Sequence, residues 1–133
     1  MSREERDTRR PVLMSVSGRD EVRVILEYRG REYVGECDAR AAGGLHAASA
    51  TATLQALEEL TPPDVRLGLD WCGVLEPGGG VGVAVVVFAT LVAAGVRNAH
   101  AGVALVHQDV QVAAVRAALD AMNRRLEVMG VLT

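Results

Sequence analysis

The strongest periodicity lies near the C-terminal end. Val112, Val115, Leu119, Met122 and Leu126 recur at intervals of three and four, which places them on one face of a helix. Arg116, Asp120, Asn123, Arg124 and Glu127 lie on or beside the opposite face. Asp109 precedes the run as an N-cap, its carboxylate able to accept from the free amides of the first turn. Arg124 and Arg125 sit near the negative end, and Gly130 supplies the stop.

Earlier segments alternate with the period of a strand. Val22, Val24, Leu26 and Tyr28 interleave with Glu21, Arg23, Ile25 and Glu27, and Arg29, Gly30 and Arg31 then form a tight connection. Tyr33, Gly35 and Cys37 continue as the returning strand of a hairpin. A short apolar run at 12–17, closed by the turn residues Gly18, Arg19 and Asp20, makes a further strand ahead of it. After a small, flexible segment at 39–44, residues 45–60 read as a helix with Ala47, Ala50, Leu54 and Leu57 on its buried stripe, ended by Thr61, Pro62 and Pro63. Val65, Leu67, Leu69 and Trp71 alternate again, and Pro77 to Gly80 form a turn. The nearly continuous apolar run 81–92 is the pattern of a strand covered on both faces or standing at a subunit interface. A turn at 95–98 and a last strand at 99–106 complete the series.

The order of strands, a Gly/Ala-rich turn and a helix thus occurs twice. Laying 33–60 over 100–126 brings Gly35 near Gly102 and gives a period of about 65 to 67 residues. The fold expected is α+β: two strands-then-helix repeats, about 12–61 and 65–127, with a mainly antiparallel sheet and helices packed on one face. Residues 1–11 are expected to be a disordered tail, charged with both signs, and 12–133 a single domain.

Composition narrows the function. Aromatics are only 3%, so the core is built from Val, Ala and Leu. The net charge of −3 offers no footprint for nucleic acid or an anionic membrane, and all fourteen basic residues are Arg. The apolar stretch 81–96 is interrupted by Gly82 and Gly95 and is shorter than the ~20 residues of a membrane span. Cys37 and Cys72 have neither metal-ligand spacing nor the density of a disulfide scaffold, so reduced thiols and a cytoplasmic location are expected, with no cofactor.

The second half carries Gly102, then Asp109 and Val110, then Ala113 through Leu119, Asp120, Ala121, Met122, Asn123 and Arg124; the first half carries Gly35, Glu36, Cys37, Asp38 and Ala39 before a helix with Ala56 and Leu57. In these residues, and in its duplication over most of 12–127, the chain resembles the C-terminal regulatory, or dimerisation, domain of the 2-isopropylmalate synthase and citramalate synthase family. Members carry that domain behind a catalytic barrel, for which this chain has no room. The resemblance implies a non-catalytic regulatory or dimerisation domain, a homodimer or higher homo-oligomer, binding a small metabolite such as an amino acid. It places the ligand in a shared pocket faced by the turns before the two helices, around 35–38 and 102–109, with Gly35, Asp38, Gly102, His107 and Asp109 as binding residues. Backbone amides at a helix start hold carboxylates readily.

The alternative is a small stand-alone biosynthetic enzyme of the isomerase, cyclase or hydrolase type. It would draw on His46, His100, His107, Cys37, Cys72, Asp38, Asp70 and Asp109, yet no pair of these has motif spacing. Gly78, Gly79 and Gly80 are not followed by the Lys-Ser/Thr of a phosphate loop.

Overall fold

A computed structural model describes residues 10–132. Its first half comprises β1 (Val12–Ser17), β2 (Glu21–Tyr28), β3 (Arg31–Asp38), a single-turn α1 (Ala39–Ala42) and α2 (Leu45–Glu58). Its second half comprises β4 (Arg66–Leu75), β5 (Ala84–Ala93), β6 (Val96–Leu105) and α3 (Val110–Val128). The strands form two three-stranded antiparallel sheets, ordered β1-β2-β3 and β4-β5-β6. The α+β class and the twofold strands-then-helix order are those expected. Most of the expected tail, residues 1–9, lies outside the described residues. Arg10 forms an ion pair with Glu127 of α3, and Pro11 is buried.

Both central hairpins close in the same way. Arg29 and Gly30 have φ of 52° and 77°, and Ala94 and Gly95 have φ of 52° and 78°. Two consecutive positive φ angles define the two-residue turn whose twist matches that of paired strands, and glycine takes its second position without steric cost. Because Ala94 and Gly95 complete the reversal alone, Val96 to Asn98 are free to pair, and β6 starts three residues before the expected 99. The segment expected to be flexible, 39–44, instead holds α1, capped by Asp38 and closed by Gly43 at φ 94°.

Each helix lies on its own sheet and reaches the other. α2 crosses β2 and β3 and touches β4; α3 crosses β5 and β6 and touches β1; the helices also pack on each other. The core joins Val22, Val24 and Leu26 of β2 and Val85, Val87, Ala89 and Leu91 of β5 to Leu54 and Leu57 of α2 and Val115, Met122 and Leu126 of α3. Position 35 has no room for a side chain, since a Cβ on Gly35 would overlap the Ala52 carbonyl of α2, and one on Gly102 would overlap the Ala117 carbonyl and the Ala121 amide of α3. Glycine on the strand and alanine on the helix let backbone meet backbone in both halves.

The edge strands leave outward amides without a ladder partner. The helices supply acceptors instead. Gln55 Oε1 accepts from the Glu36 amide at 3.1 Å, and Asp120 Oδ2 accepts from the Val103 amide at 3.0 Å, at matching places in the two halves. On the edge strand β4, the Leu67 amide donates to Glu58 Oε2 at 2.7 Å.

Candidate functional site

The two sheets differ on the faces turned away from the helices. The outer face of the first carries Glu21, Arg23 and Glu27 of β2 opposite Asp38, Glu36 and Glu32 of β3, with a single uncharged row, Ser15, Ile25 and Val34, among them. That is a solvated surface. On the second sheet, cross-strand register sets Leu75, Ala84 and Leu105 in one outer row, Gly73, Val86 and Val103 in the next, and Trp71, Phe88 and Ala101 in a third. Three successive rows therefore carry no charge. Trp71 and Phe88 stack tilted, 5.7 Å between ring centroids, and the Trp71 ring lies over Gly73, where a Cβ would strike it. Trp71 is 48%, Phe88 47% and Val103 52% exposed, so the described chain leaves these side chains open, while Ala84 in the first row is buried. Polar groups begin at its border, where Thr90 donates to Asp70 at the β4 bulge and Arg66 and Arg97 flank Val92.

The three apolar rows take up about six residues of each strand and, with strands about 4.8 Å apart and ~3.3 Å per residue, present a face on the order of 300 Å² in projection. An apolar patch of this size with a polar border has the layout of an interface core inside its rim, and such patches are often functional.

The residues expected to bind a metabolite are placed separately. Gly35 and Gly102 lie beneath α2 and α3 in the close contacts described above. Asp38 caps α1, its Oδ1 accepting from the Arg40 amide at 2.9 Å. His107 and Asp109 come together, lining a cavity of about 280 Å³ at the start of α3 with Gln108, Val112 and Arg116. Asp109 Oδ1 caps the helix, accepting from the Gln111 amide at 2.7 Å, and Gln111 Nε2 donates to the Gly18 carbonyl at 3.2 Å, tying this end to the β1-β2 turn. Asp109 and Arg116 put one anion and one cation on the same cavity, the pair that the two ends of an amino acid require. Arg116, on or beside the polar side of α3, follows Val112 by four residues, about one helical turn, and this spacing brings it to the cavity of Asp109.

Four of the eight residues that an enzyme would draw on meet elsewhere. Cys37, His46, Asp70 and Cys72 line one cleft of about 500 Å³ beside Thr51 and Trp71. The electrostatics there oppose nucleophilic chemistry. Burial, assisted by the charges of Glu21 and Asp38, pushes the Cys37 thiol up, and burial pushes the Cys72 thiol up to about 11. A nucleophilic or metal-binding cysteine requires the opposite shift. Among the described residues no group of three or more His, Cys, Asp or Glu side chains could hold a metal ion, and no helix is long and apolar enough to cross a membrane.

No protein-family model matches the chain, and no curated protein matches its sequence.

Proposed function

We propose that this chain is a non-catalytic regulatory or dimerisation domain that self-associates through the outer face of β4, β5 and β6. The observation that carries the reading is the uncharged, half-exposed surface of Trp71, Phe88, Val103, Leu75 and Leu105. A second copy is the occupant that this surface suits. With no charge on three rows there is nothing for an oppositely charged partner to answer, whereas an apolar patch is self-complementary about a twofold axis. The apolar run 81–92 fits the same arrangement, one face against the helices and the other against a partner. The cavity at His107, Asp109 and Arg116 is close to the lower size of small-molecule sites and supports a compact metabolite such as an amino acid as the regulatory ligand. The raised thiols of Cys37 and Cys72 weigh against a stand-alone enzyme with a cysteine nucleophile.

Sedimentation analysis tests the association. The wild-type chain is expected to dimerise at micromolar to submillimolar concentration, and Phe88→Glu, which places a charge in the middle of the patch, is expected to be a folded monomer. A wild-type chain that stays monomeric throughout that range would falsify the reading.

A further inference from the structure

The C-terminal half of α3 and the strand β6 border a different cleft, of about 610 Å³, with Arg10, His100, Asp120, Arg124 and Arg125 on its walls. Three guanidinium groups around one cleft reverse, locally, the sign of a chain whose net charge is −3. Two nitrogens of side chains that line this cleft, Nε of Arg125 and Nε2 of His100, are buried and have no hydrogen-bond partner among the described residues. Arginine has donors only, and a buried charged donor left unpaired is among the costlier defects a fold can carry. The nearby carboxylates are engaged with other groups: Glu127 with Arg10, and Asp120 with the Val103 amide. Burial and the neighbouring Arg125 charge both push His100 below the usual imidazole range, which keeps the ring neutral and leaves one of its nitrogens a donor.

We propose that this cleft binds a small oxyanion, the carboxylate or phosphate group of a metabolite. A turn of the Arg125 side chain opens its unpartnered Nε–H, with an adjacent Nη–H, to the anion as the two-pronged fork that suits such oxygens. In the tautomer with its proton on Nε2, His100 provides a further donor, and Arg124 adds charge at the wall. Asp120 and Glu127 limit the positive excess, so the site suits a group of one or two negative charges. His100 pairs with Ala89 on the helix side of the sheet, away from the Trp71 and Phe88 face, so the site does not depend on self-association.

The test is an NMR titration of the intact chain, following the His100 imidazole and the Arg125 Nε–H, with sodium phosphate or sodium acetate at ionic strength held constant by chloride. Saturable shifts at both groups are expected. Saturation by phosphate alone identifies a phosphate site, and saturation by acetate identifies a carboxylate site. Arg125→Lys, which keeps the charge and loses the fork, is expected to weaken binding at least about tenfold, while Arg31→Gln, on a distant strand, leaves it unchanged. Shifts that fail to saturate with either salt, or an Arg125→Lys affinity equal to wild type, overturn the proposal. The wild-type titration decides the question even if the variant does not fold.

Discussion

Gly102 lies directly beneath Ala117, close enough that a Cβ on the glycine would overlap the alanine's carbonyl oxygen. The obstruction is backbone of a 19-residue helix, which cannot swing aside as a flexible side chain would. Gly102→Ala is therefore expected to destabilise the fold by about 3 kcal/mol or more, and Gly35→Ala, against Ala52, by a similar amount. Gly68→Ala, where a Cβ meets nothing, is the control. Urea unfolding of the three variants measures the difference; equal midpoints for Gly102→Ala and Gly68→Ala would show that the helix stands further from the strand.

Trp71 is the only tryptophan, and its half-exposed ring sits in the proposed contact face. Dilution should move its fluorescence to longer wavelength as dimers dissociate and water reaches the indole. Val103→Glu, one row away, should show the long-wavelength spectrum at every concentration while keeping the wild-type far-UV spectrum. A concentration-independent spectrum in the wild type argues that the ring is never covered.

The Cys72 thiol, pushed up to about 11 by burial, is almost wholly protonated at neutral pH. Alkylation in the native state is expected to be on the order of a hundredfold slower than in the unfolded chain at pH 8. The same shift links pH to stability. A folded-state value above the unfolded one makes a contribution that is fully present below about pH 8.5 and is lost as pH rises through about 11. Cys72→Ala should flatten that alkaline decline, as followed by unfolding midpoints from pH 8 upward.

Asn123 is only 7% exposed, and its side-chain oxygen has no hydrogen-bond partner among the described residues. Replacing a buried, unsatisfied amide by an apolar group of similar shape removes a desolvation cost. Asn123→Leu is accordingly expected to stabilise the fold by about 1 kcal/mol, visible as a rise in melting temperature. A fall would mean that the amide makes a contact worth more than the buried oxygen costs.

The parts of the fold visible in the sequence are those where one local rule acts alone. The alternation of Val22, Val24, Leu26 and Tyr28 marks a strand with one buried face, and all four are buried. Asp109 caps α3 as its position before the Val112 run requires. Where several elements meet, local rules lose resolution. α2 faces β2 and β3, β4 and α3 at once, so Ser49 and Thr53 are as buried as Leu54, although only a narrow stripe was expected. Their hydroxyls are satisfied locally, donating to the carbonyls of Leu45 and Ser49 at 2.7 Å, which allows polar residues inside such a helix. Asn123 shows the same effect on α3, having been placed by helical spacing on or beside the polar side. The sites were less legible still. Cys37 and Cys72 share a cleft because β3 and β4 approach the same end of α2, and Arg125 meets His100 because α3 folds back along β6. Such meetings depend on the packing of distant segments and leave no spacing to read.

The reciprocal reach of the helices, α2 to β4 and α3 to β1, bears on how such a chain could arise and how it could come apart. Each half shields the apolar helix of the other, so a cut in the connection at Pro62 and Pro63 would leave two fragments, each the natural complement of the other. A gene encoding one such half, able to pair with its own copy, needs only duplication and fusion to yield this arrangement. The intermolecular contact of the ancestor would then survive as the interior of a single polypeptide.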